Sequence, residues 1–362
     1  MIGLLTAFFT SLITTLLIIR FKSRHAHFSS DSDFSGPQRF HTEITPRIGG
    51  ISIAVGLTLA ILLKLNNLQS TGTEIMLLIS AIPTFFIGLA EDFTKKISIR
   101  KRFFFTIISS ILLIFLLEIK IISLDVPPLD ILFSIPFLSV LLSIFAITGL
   151  VNAYNIIDGF HGLSSMIGVI TLLAITYIAF LFSDIVIMYL SLVMVTAIIG
   201  FFIANYPRGL IFLGDGGAYL IGFWVAALSI MLIFKHPEVS PWFALLVNAY
   251  PVTETCFTIY RRKIRQGKNP TKPDGIHFHT LIYRRVLKNH TAEKNLLSSN
   301  AKTAPYLWVF AGLSIAIAVI WWQSTIILSI GFLGFLSLYI WLYNRIVKFC
   351  TPKWLHPKYY YY

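Results

Sequence analysis

The sequence predicts an all-α protein, a polytopic membrane bundle of about 11 transmembrane helices. Hydrophobic residues make up 56% of the 362 residues and charged residues only 12%. The mean hydropathy is +0.78. Apolar segments recur along the whole chain, and most have roughly the 20 residues that a helix needs to cross the hydrocarbon core. Soluble domains of this size carry more charge and fewer apolar residues, so this composition excludes an ordinary soluble protein.

Each apolar segment is expected to be a helix, because inside a bilayer every backbone amide must be bonded within its own segment. The first segment lacks a basic start and a small-residue cleavage site, so it is interpreted as a span rather than a signal peptide. The connections are short, so residues 1–362 are expected to form one membrane domain. The predicted spans are residues 2–20, 50–66, 75–90, 103–122, 129–151, 162–182, 185–204, 211–234, 241–260, 305–321 and 325–344.

The basic residues predict the orientation of these spans. One set of connections, together with the C-terminal tail, carries 26 of the 29 Lys and Arg residues, and the opposite set carries only Lys64, Lys120 and Lys235. Because cytoplasmic loops are enriched in Lys and Arg, the first set is expected to face the cytoplasm, with the N-terminus outside and the C-terminus inside. This rule explains most of the net charge of +13 without a nucleic-acid partner. The remaining charge can contact anionic membrane lipids or a charged substrate.

The few acidic residues indicate where a functional site lies. The chain has only 16 Asp and Glu residues, yet Glu91, Asp92, Asp158 and Asp215 all stand where an apolar run meets the predicted cytoplasmic side. A carboxylate at a membrane boundary is costly unless it binds something. These acids therefore predict a site for a hard cation and a phosphate.

Five polar motifs fall on this predicted cytoplasmic side, in the loops 21–49, 91–102, 152–161, 205–217 and 261–304. Taken singly, each has an ordinary explanation as a helix end, a tight turn or a polar loop. Ordinary turns would appear on both sides of the membrane, so their grouping favours a shared site. The motifs are Thr45-Pro46-Arg47-Ile48-Gly49-Gly50, Glu91-Asp92, Asn152-Ala153-Tyr154-Asn155-Ile156-Ile157-Asp158-Gly159, Phe212-Leu213-Gly214-Asp215-Gly216-Gly217 and His277-Phe278-His279-Thr280.

The residue types in these motifs suit phosphate chemistry. Carboxylates bind Mg²⁺ or Mn²⁺, which in turn holds a diphosphate. Glycines allow the backbone to approach a phosphate closely, and arginines and histidines neutralise its charge. The chain has no P-loop motif, so an ATP-driven machine is not indicated. The two cysteines, Cys256 and Cys350, predict neither a disulfide nor a zinc site.

On these motifs the chain resembles the polyprenyl-phosphate N-acetylhexosamine-1-phosphate transferases of glycosyltransferase family 4, relatives of the phospho-MurNAc-pentapeptide translocase. The resemblance covers nearly the whole chain, in motif order and in helix number. Three positions depart from the family pattern. Glu91 stands where the family usually has Asp, Ala218 replaces a Ser, and the motif at His277 lacks a third histidine.

This resemblance implies a Mg²⁺-dependent transferase of ten or eleven helices. A UDP-N-acetyl sugar would give its sugar 1-phosphate to undecaprenyl or another polyprenyl phosphate, releasing UMP and starting a cell-surface polysaccharide. Such a protein would lie in the inner (plasma) membrane with its active site on the cytoplasmic face. The sugar, the polymer and the oligomeric state, including a homodimer, are left open.

The resemblance also implies roles for the motif residues. Asp215 is expected to be the main metal ligand, with Glu91 or Asp92 sharing the site. Asp92 is the candidate base, although the acceptor, a phosphate monoester with a second pKa of about 6, is already mostly ionised and needs little help. Asp158 is placed with the catalytic acids on the nucleotide side. The expected substrate-binding residues are Asn152, Asn155, His277, His279, Arg100, Arg102, Thr45 and Arg47.

Three alternatives remain open at this stage. A transporter or lipid carrier could use the same acids as a cation site, but it would be expected to have charges and broken helices near the bilayer midplane. Only Glu254, inside the predicted span 241–260, fits that expectation. A MurNAc-pentapeptide substrate is the alternative within the family, and the short histidine motif argues against it. A covalent aspartyl intermediate is the rival to direct attack on the sugar-bearing phosphorus.

Overall fold

The architecture is an all-α bundle, as the sequence predicts. A computed structural model describes residues 1–24, 45–65, 72–267, 274–287, 296–352 and 355, and no β-strand occurs in these ranges. Parts of the expected loops 21–49 and 261–304 lie outside the described residues. The helices are α1 (Ile2–Arg20), α2 (Gly49–Leu65), α3 (Thr73–Thr94), α4 (Ile99–Leu117), α5 (Pro127–Phe133), α6 (Pro136–Ile157), α7 (Leu163–Leu181), α8 (Ile185–Asn205), α9 (Gly214–Lys235), α10 (Pro241–Val247), α11 (Ala249–Tyr260), α12 (Phe278–Leu281), α13 (Leu296–Ile320) and α14 (Thr325–Val347).

Eight helices of the described chain are long and apolar enough to cross a membrane: α1, α3, α6, α7, α8, α9, α14 and residues Asn300–Ile320 of α13. This confirms a multi-pass membrane protein. Helix α2 is apolar but shorter, and α4 carries three basic residues in its first turn, Arg100, Lys101 and Arg102. The number of eleven spans and the sides of the two termini stay predictions.

Helix α9 is the central element of the bundle. Within its apolar stretch 94% of the residues are buried, and it packs against α2, α3, α6 and α7. A helix that is apolar on all sides is stable only when other helices surround it. Asp215 lies in the first turn of this helix, so the fold places a carboxylate at the end of the most buried segment.

Helices α2 and α3 pack so closely on the start of α9 that their backbones are in direct contact. A Cβ atom added at Gly50 would lie 2.3 Å from the backbone nitrogen of Gly217, and one added at Gly88 would lie 2.7 Å from Cα of Gly216. Side chains at these positions would force the helices apart. The glycines of the motifs therefore have a packing function in addition to the close phosphate approach that the sequence suggests.

Several helix bounds differ from the predicted spans. Helix α6 runs on to Ile157, so Asn152 and Asn155 lie on its last turns instead of in a loop. Pro136 begins α6 and separates it from the short α5, because proline is favoured in the first turn of a helix. Helix α13 begins at Leu296, so part of the expected loop 261–304 is helical.

The predicted span 241–260 is broken at Asn248 into α10 and α11. Nearby side chains donate hydrogen bonds to the backbone carbonyls around the break. The Thr171 hydroxyl donates to the carbonyl of Val247 at 3.3 Å, and the Asn248 amide donates to the carbonyl of Ala244 at 2.9 Å. A discontinuous helix at membrane depth is stable where side chains bond the freed backbone groups in this way.

Two acids at the opposite end of the bundle are paired with cations. The Lys64 ammonium bonds the Glu74 carboxylate. Asp184 lies 3.2 Å from His236 Nε2 and 3.5 Å from Lys235 Nζ. Paired buried acids of this kind are accounted for by their partners, so they do not indicate a second active site.

Candidate active site

The predicted motif residues gather at one end of the bundle, where α2, α4, α7 and α9 begin and α3, α6 and α8 end. Backbone hydrogen bonds join the first motif to the fourth. The amide of Phe212 donates to the carbonyl of Pro46 at 2.8 Å, and the amide of Gly49 donates to the carbonyl of Phe212 at 2.9 Å. Thr45 is buried at the start of this pairing. These bonds bring Arg47 beside Asp215.

Asp92 is a buried carboxylate that caps helix α9. One of its oxygens accepts the backbone amide of Asp215 at 2.8 Å, and the other accepts that of Gly216 at 2.9 Å. A carboxylate is favoured there because the first amides of a helix have no partner within the helix and the helix dipole is positive at this end. Asp92 therefore fixes the first turn of α9, and with it Asp215, against the end of α3.

Two arginines neutralise Asp215. Arg102, from the first turns of α4, donates a short hydrogen bond to its Oδ2. Arg47 approaches from the other side, with its Nη2 atom 3.6 Å from Oδ1 of Asp215 and 4.0 Å from Oδ1 of Asp92. The Asp215 side chain keeps 13% of its surface exposed, so it lies at the rim of the bundle rather than within it.

Glu91 and Arg100 lie further from this pair of acids. The Glu91 carboxylate accepts the backbone amide of Ile97 at 2.7 Å and so closes the turn between α3 and α4. Arg100 is exposed at the start of α4, whereas Arg102, two residues on, turns inward. Of the two arginines predicted at the start of α4, Arg102 is the one that reaches the acids in this structure.

Asp158 adds a third carboxylate to the site. It follows the last turn of α6, where its amide donates to the carbonyl of Asn155 at 3.2 Å, and the Asn152 amide donates back to the carbonyl of Thr148 at 2.8 Å. Burial and the Asp215 carboxylate raise the pKa of Asp158 to about 8, against the opposing effect of Arg47. Burial is the larger of the two causes, because removal from water disfavours the charged form of a carboxyl group.

We expect Asp158→Asn to change the pH dependence of stability. The pKa of Asp158 is higher in the folded protein than in the unfolded chain, where it has the ordinary carboxyl value near 4. The folded state is therefore destabilised progressively as the pH rises from about 4 to about 8. The melting temperature of the variant should therefore rise relative to the parent between pH 6 and pH 8 and stay constantly higher above that. Thermal unfolding in detergent with a chelator measures this. A difference in melting temperature between variant and parent that does not change with pH would contradict it.

The histidine motif adjoins the Asp158 turn. His277 and His279 are both buried, and their rings stack at 5.2 Å with an interplanar angle of 15°. A Cβ atom at Gly159 would lie 2.8 Å from Nε2 of His279, so this ring rests on the turn after α6. Burial lowers the pKa of His279 to about 3, which keeps the ring neutral. Its Nδ1 atom has no hydrogen-bond partner among the described residues.

Two residues at the site are not among the site residues that the sequence predicts. Glu254, on α11, lies beneath the histidine motif with an oxygen 2.9 Å from Nδ1 of His277. Its only sequence signal is a carboxylate inside an apolar helix. His161 stacks on Phe212 at 5.6 Å, and burial lowers its pKa to about 4. A histidine three residues after Asp158 carries no distinctive spacing, so no sequence signal identifies it.

The donor set favours a metal ion held jointly with a substrate. No group of three or more His, Cys, Asp or Glu side chains in the described ranges is close enough to enclose a metal ion. Mg²⁺ usually binds one or two carboxylates and completes its shell with water and substrate phosphates. Asp215, with Asp158 nearby and two arginines at the rim, fits that mode and not an all-protein cage.

Comparison with known proteins gives consistent matches. Residues 74–233 match the profile of glycosyl transferase family 4. The chain is 28% identical over 281 residues to a probable undecaprenyl-phosphate N-acetylglucosaminyl 1-phosphate transferase of Bacillus subtilis, which covers 77% of each chain. It is 27% identical over 296 residues to the decaprenyl-phosphate N-acetylglucosaminephosphotransferase of Mycolicibacterium smegmatis, covering 74% of this chain and 70% of that protein.

A further relative represents the other branch of the resemblance. The phospho-N-acetylmuramoyl-pentapeptide-transferase of Streptococcus thermophilus is 29% identical over 188 residues. That match covers 50% of this chain and 52% of the relative, so this chain spans about half the length of that protein. The two matches to N-acetylglucosamine-phosphate transferases extend over more of the chain.

Proposed function

Because this chain belongs to glycosyl transferase family 4 and is a membrane sugar-phosphate transferase, we propose that it transfers N-acetylglucosamine 1-phosphate from UDP-N-acetylglucosamine to a polyprenyl phosphate, with release of UMP. The observation that carries the proposal is the meeting of Asp92, Asp158 and Asp215 with Arg47 and Arg102 at one end of the bundle. The lipid-linked sugar would start a cell-surface polysaccharide.

The reaction joins two anions, so its main requirement is neutralisation and alignment. An oxygen of the acceptor phosphate attacks the sugar-bearing phosphorus of the donor. The bond from that phosphorus to the bridging oxygen breaks, and UMP leaves with the electron pair. Phosphoryl transfer depends chiefly on positioning and electrostatics. Arg47 and Arg102 converge on Asp215, which supports a role for both in neutralising the phosphates.

We propose Asp215 as the carboxylate that holds Mg²⁺, with the carboxyl group of Asp158 nearby. The ion supplies Lewis-acid stabilisation of the phosphoryl oxygens when bound. Glu91 contributes charge from the α3–α4 turn. Asp92 has both oxygens bonded to backbone amides, so it is poorly placed to take a proton. We assign it the positioning of Asp215, which agrees with an acceptor that needs little base catalysis.

The nucleotide and sugar are assigned to the side of the site formed by α6 and the histidine motif. Asn152 and Asn155 share one face of α6, and Asp158 follows them. His279 rests on Gly159, so a donor bound along this turn would meet the histidine pair. Neutral imidazoles can donate to and accept from the hydroxyls and amide of an N-acetyl sugar.

The competing functions fit the structure less well. The break at Asn248 is a feature that a transporter would show, but its freed carbonyl groups are bonded by Thr171 and Asn248. The three acids lie together at the end of the bundle and not at the break. A MurNAc-pentapeptide donor is disfavoured by the short histidine motif, and the relative that uses it matches only half of the chain.

The experiment that tests the proposal presents membranes containing the protein with polyprenyl phosphate, Mg²⁺ and a panel of UDP-N-acetyl sugars. We expect UMP and a lipid-linked sugar with UDP-N-acetylglucosamine and little product with UDP-MurNAc-pentapeptide. Membranes containing Asp215→Asn are the control. UMP formation with none of the donors in the panel would contradict the proposed function.

From the distribution of basic residues, we propose that the protein lies in the inner membrane with its active site on the cytoplasmic face. In a chain with Cys256 and Cys350 replaced by serine, we expect an impermeant maleimide to label Glu238→Cys in intact spheroplasts. Gln266→Cys, near the site end, should react only after the membranes are opened. Both parent residues are exposed. The reverse pattern would invert the topology.

A further inference from the structure

We propose that Glu254 is a positioning residue for the transfer reaction, which holds the ring of His277 in one orientation and thereby sets the histidine pair against the Asp158 turn. The inference rests on the proposed function, because it assigns the donor side of that site. Glu254 lies on α11, in a segment whose sequence is otherwise apolar or hydroxylic, and its side chain is fully buried.

The Glu254 carboxylate is the meeting point of several donors. Its Oε1 atom lies 2.9 Å from Nδ1 of His277 and accepts the backbone amide of Phe278 at 3.2 Å. Its Oε2 atom accepts the Tyr339 hydroxyl at 2.9 Å. Thr258 adds a longer contact at 3.4 Å. These bonds compensate the carboxylate for its loss of water.

The direction of these bonds shows which segment Glu254 supports. Two of the donors belong to the histidine motif and one to α14, whereas α11 contributes only the long contact from Thr258. A hydrophobic residue at 254 would serve the packing of α11 equally well. The cost of burying a carboxylate is therefore offset by the fixed start of α12, where His277 and Phe278 lie.

A carboxylate on Nδ1 determines the chemistry of the imidazole. An ionised carboxylate only accepts, so Nδ1 of His277 carries a hydrogen that it donates to Glu254, and the ring edge with Nε2 is turned away from Glu254. Partners of this kind also fix the ring orientation, and their removal commonly costs ten- to hundredfold in binding or activity at metal-bound histidines. Glu254 thus controls His277 without touching a reactant.

The effect of Glu254 extends to the site through ring stacking. His277 stacks on His279 at 5.2 Å, and Nε2 of His279 rests on Gly159. Rotation of His277 would shift His279 against the turn that carries Asp158. The chain of contacts runs from α11 and α14 to the end of α6, and every member lies in the described part of the chain.

The test is a double-mutant cycle on the intact protein in detergent. Glu254→Gln keeps the shape, but a single amide oxygen cannot accept from His277, Phe278 and Tyr339 together. We expect it to raise the KM and Kd for UDP-N-acetylglucosamine about tenfold, with a smaller change in kcat. Tyr339→Phe is the matched control. It removes one donor from the same carboxylate but leaves the His277 contact, so these constants should stay within about threefold.

The decisive comparison is Glu254→Gln in a His277→Ala background. If Glu254 acts through His277, the second substitution should change the Kd for UDP-N-acetylglucosamine by less than about twofold. The Kd is measured by calorimetry, so the cycle closes even where turnover is lost. The inference would be overturned if Glu254→Gln weakened binding in the His277→Ala background by the same factor as in the parent. It would also be overturned if Tyr339→Phe weakened binding as much as Glu254→Gln. A parent that neither binds nor turns over this donor would instead overturn the proposed function.

Discussion

Asp215→Asn is expected to abolish transfer while the protein remains folded. Asparagine keeps the shape of the side chain but removes the charge that pairs with Arg47 and Arg102 and that would bind Mg²⁺. The loss of one preorganised electrostatic contact in an active site typically costs at least about a hundredfold in rate. The measurement is the initial rate of UMP release at saturating Mg²⁺, with the melting temperature recorded in parallel.

Glu238→Gln is the matched control for this prediction. It removes one negative charge from an exposed position after the far end of α9, so its rate should equal that of the parent. Turnover of Asp215→Asn within a few-fold of the parent would remove Asp215 from the metal site. An unfolded Asp215→Asn protein would mean that the aspartate supports the bundle rather than the reaction.

The second large effect is expected for Asp92→Asn, which should lose both activity and stability. Asparagine has one acceptor oxygen in place of two, so one amide at the start of α9 loses its charged partner and the helix dipole loses its counter-charge. The expected cost is about 2 kcal/mol in the free energy of unfolding. Because the first turn of α9 carries Asp215, the transfer rate should fall as well.

Thermal unfolding and UMP release measured on one preparation separate the two parts of this prediction. Glu91→Gln is the control, because an amide oxygen can still accept the Ile97 amide, and Glu91→Asp keeps the charge but is one methylene shorter. We expect Glu91→Asp to retain more activity than Glu91→Gln or Asp92→Asn. An Asp92→Asn protein as stable as the parent would show that the two backbone hydrogen bonds contribute little.

The sequence predicts the class of the fold and the shared location of the motifs. Long apolar runs specify membrane helices almost without tertiary context, because the bilayer allows few other structures. The motifs lie at alternate ends of successive spans, so an up-and-down bundle must bring them to the same end. That is why Arg47, Asp158 and Asp215 were predicted to converge, although they are far apart in the chain.

The sequence does not predict the individual contacts. From the sequence, Asp92 could be a base, a metal ligand or a helix cap. Only the position of the first backbone amides of α9 shows that it caps this helix. Glu254 looks like an isolated charge until α14 supplies Tyr339 and the folded loop supplies His277. The break at Asn248 depends on a hydroxyl from α7. The Asp92 cap, the Glu254 contacts and the break at Asn248 all depend on packing between segments that are distant in the chain. The local sequence pattern does not determine such packing.

The most direct measurement follows a ³²P label placed in the β-phosphate of UDP-N-acetylglucosamine. Membranes with the parent protein, polyprenyl phosphate and Mg²⁺ should transfer the label to the organic phase while unlabelled UMP forms in equal amount. Membranes with Asp215→Asn should leave it in the aqueous donor. Label that stays in the water phase as UDP while sugar enters the lipid would show transfer of the sugar alone, and it would contradict sugar-phosphate transfer at this site.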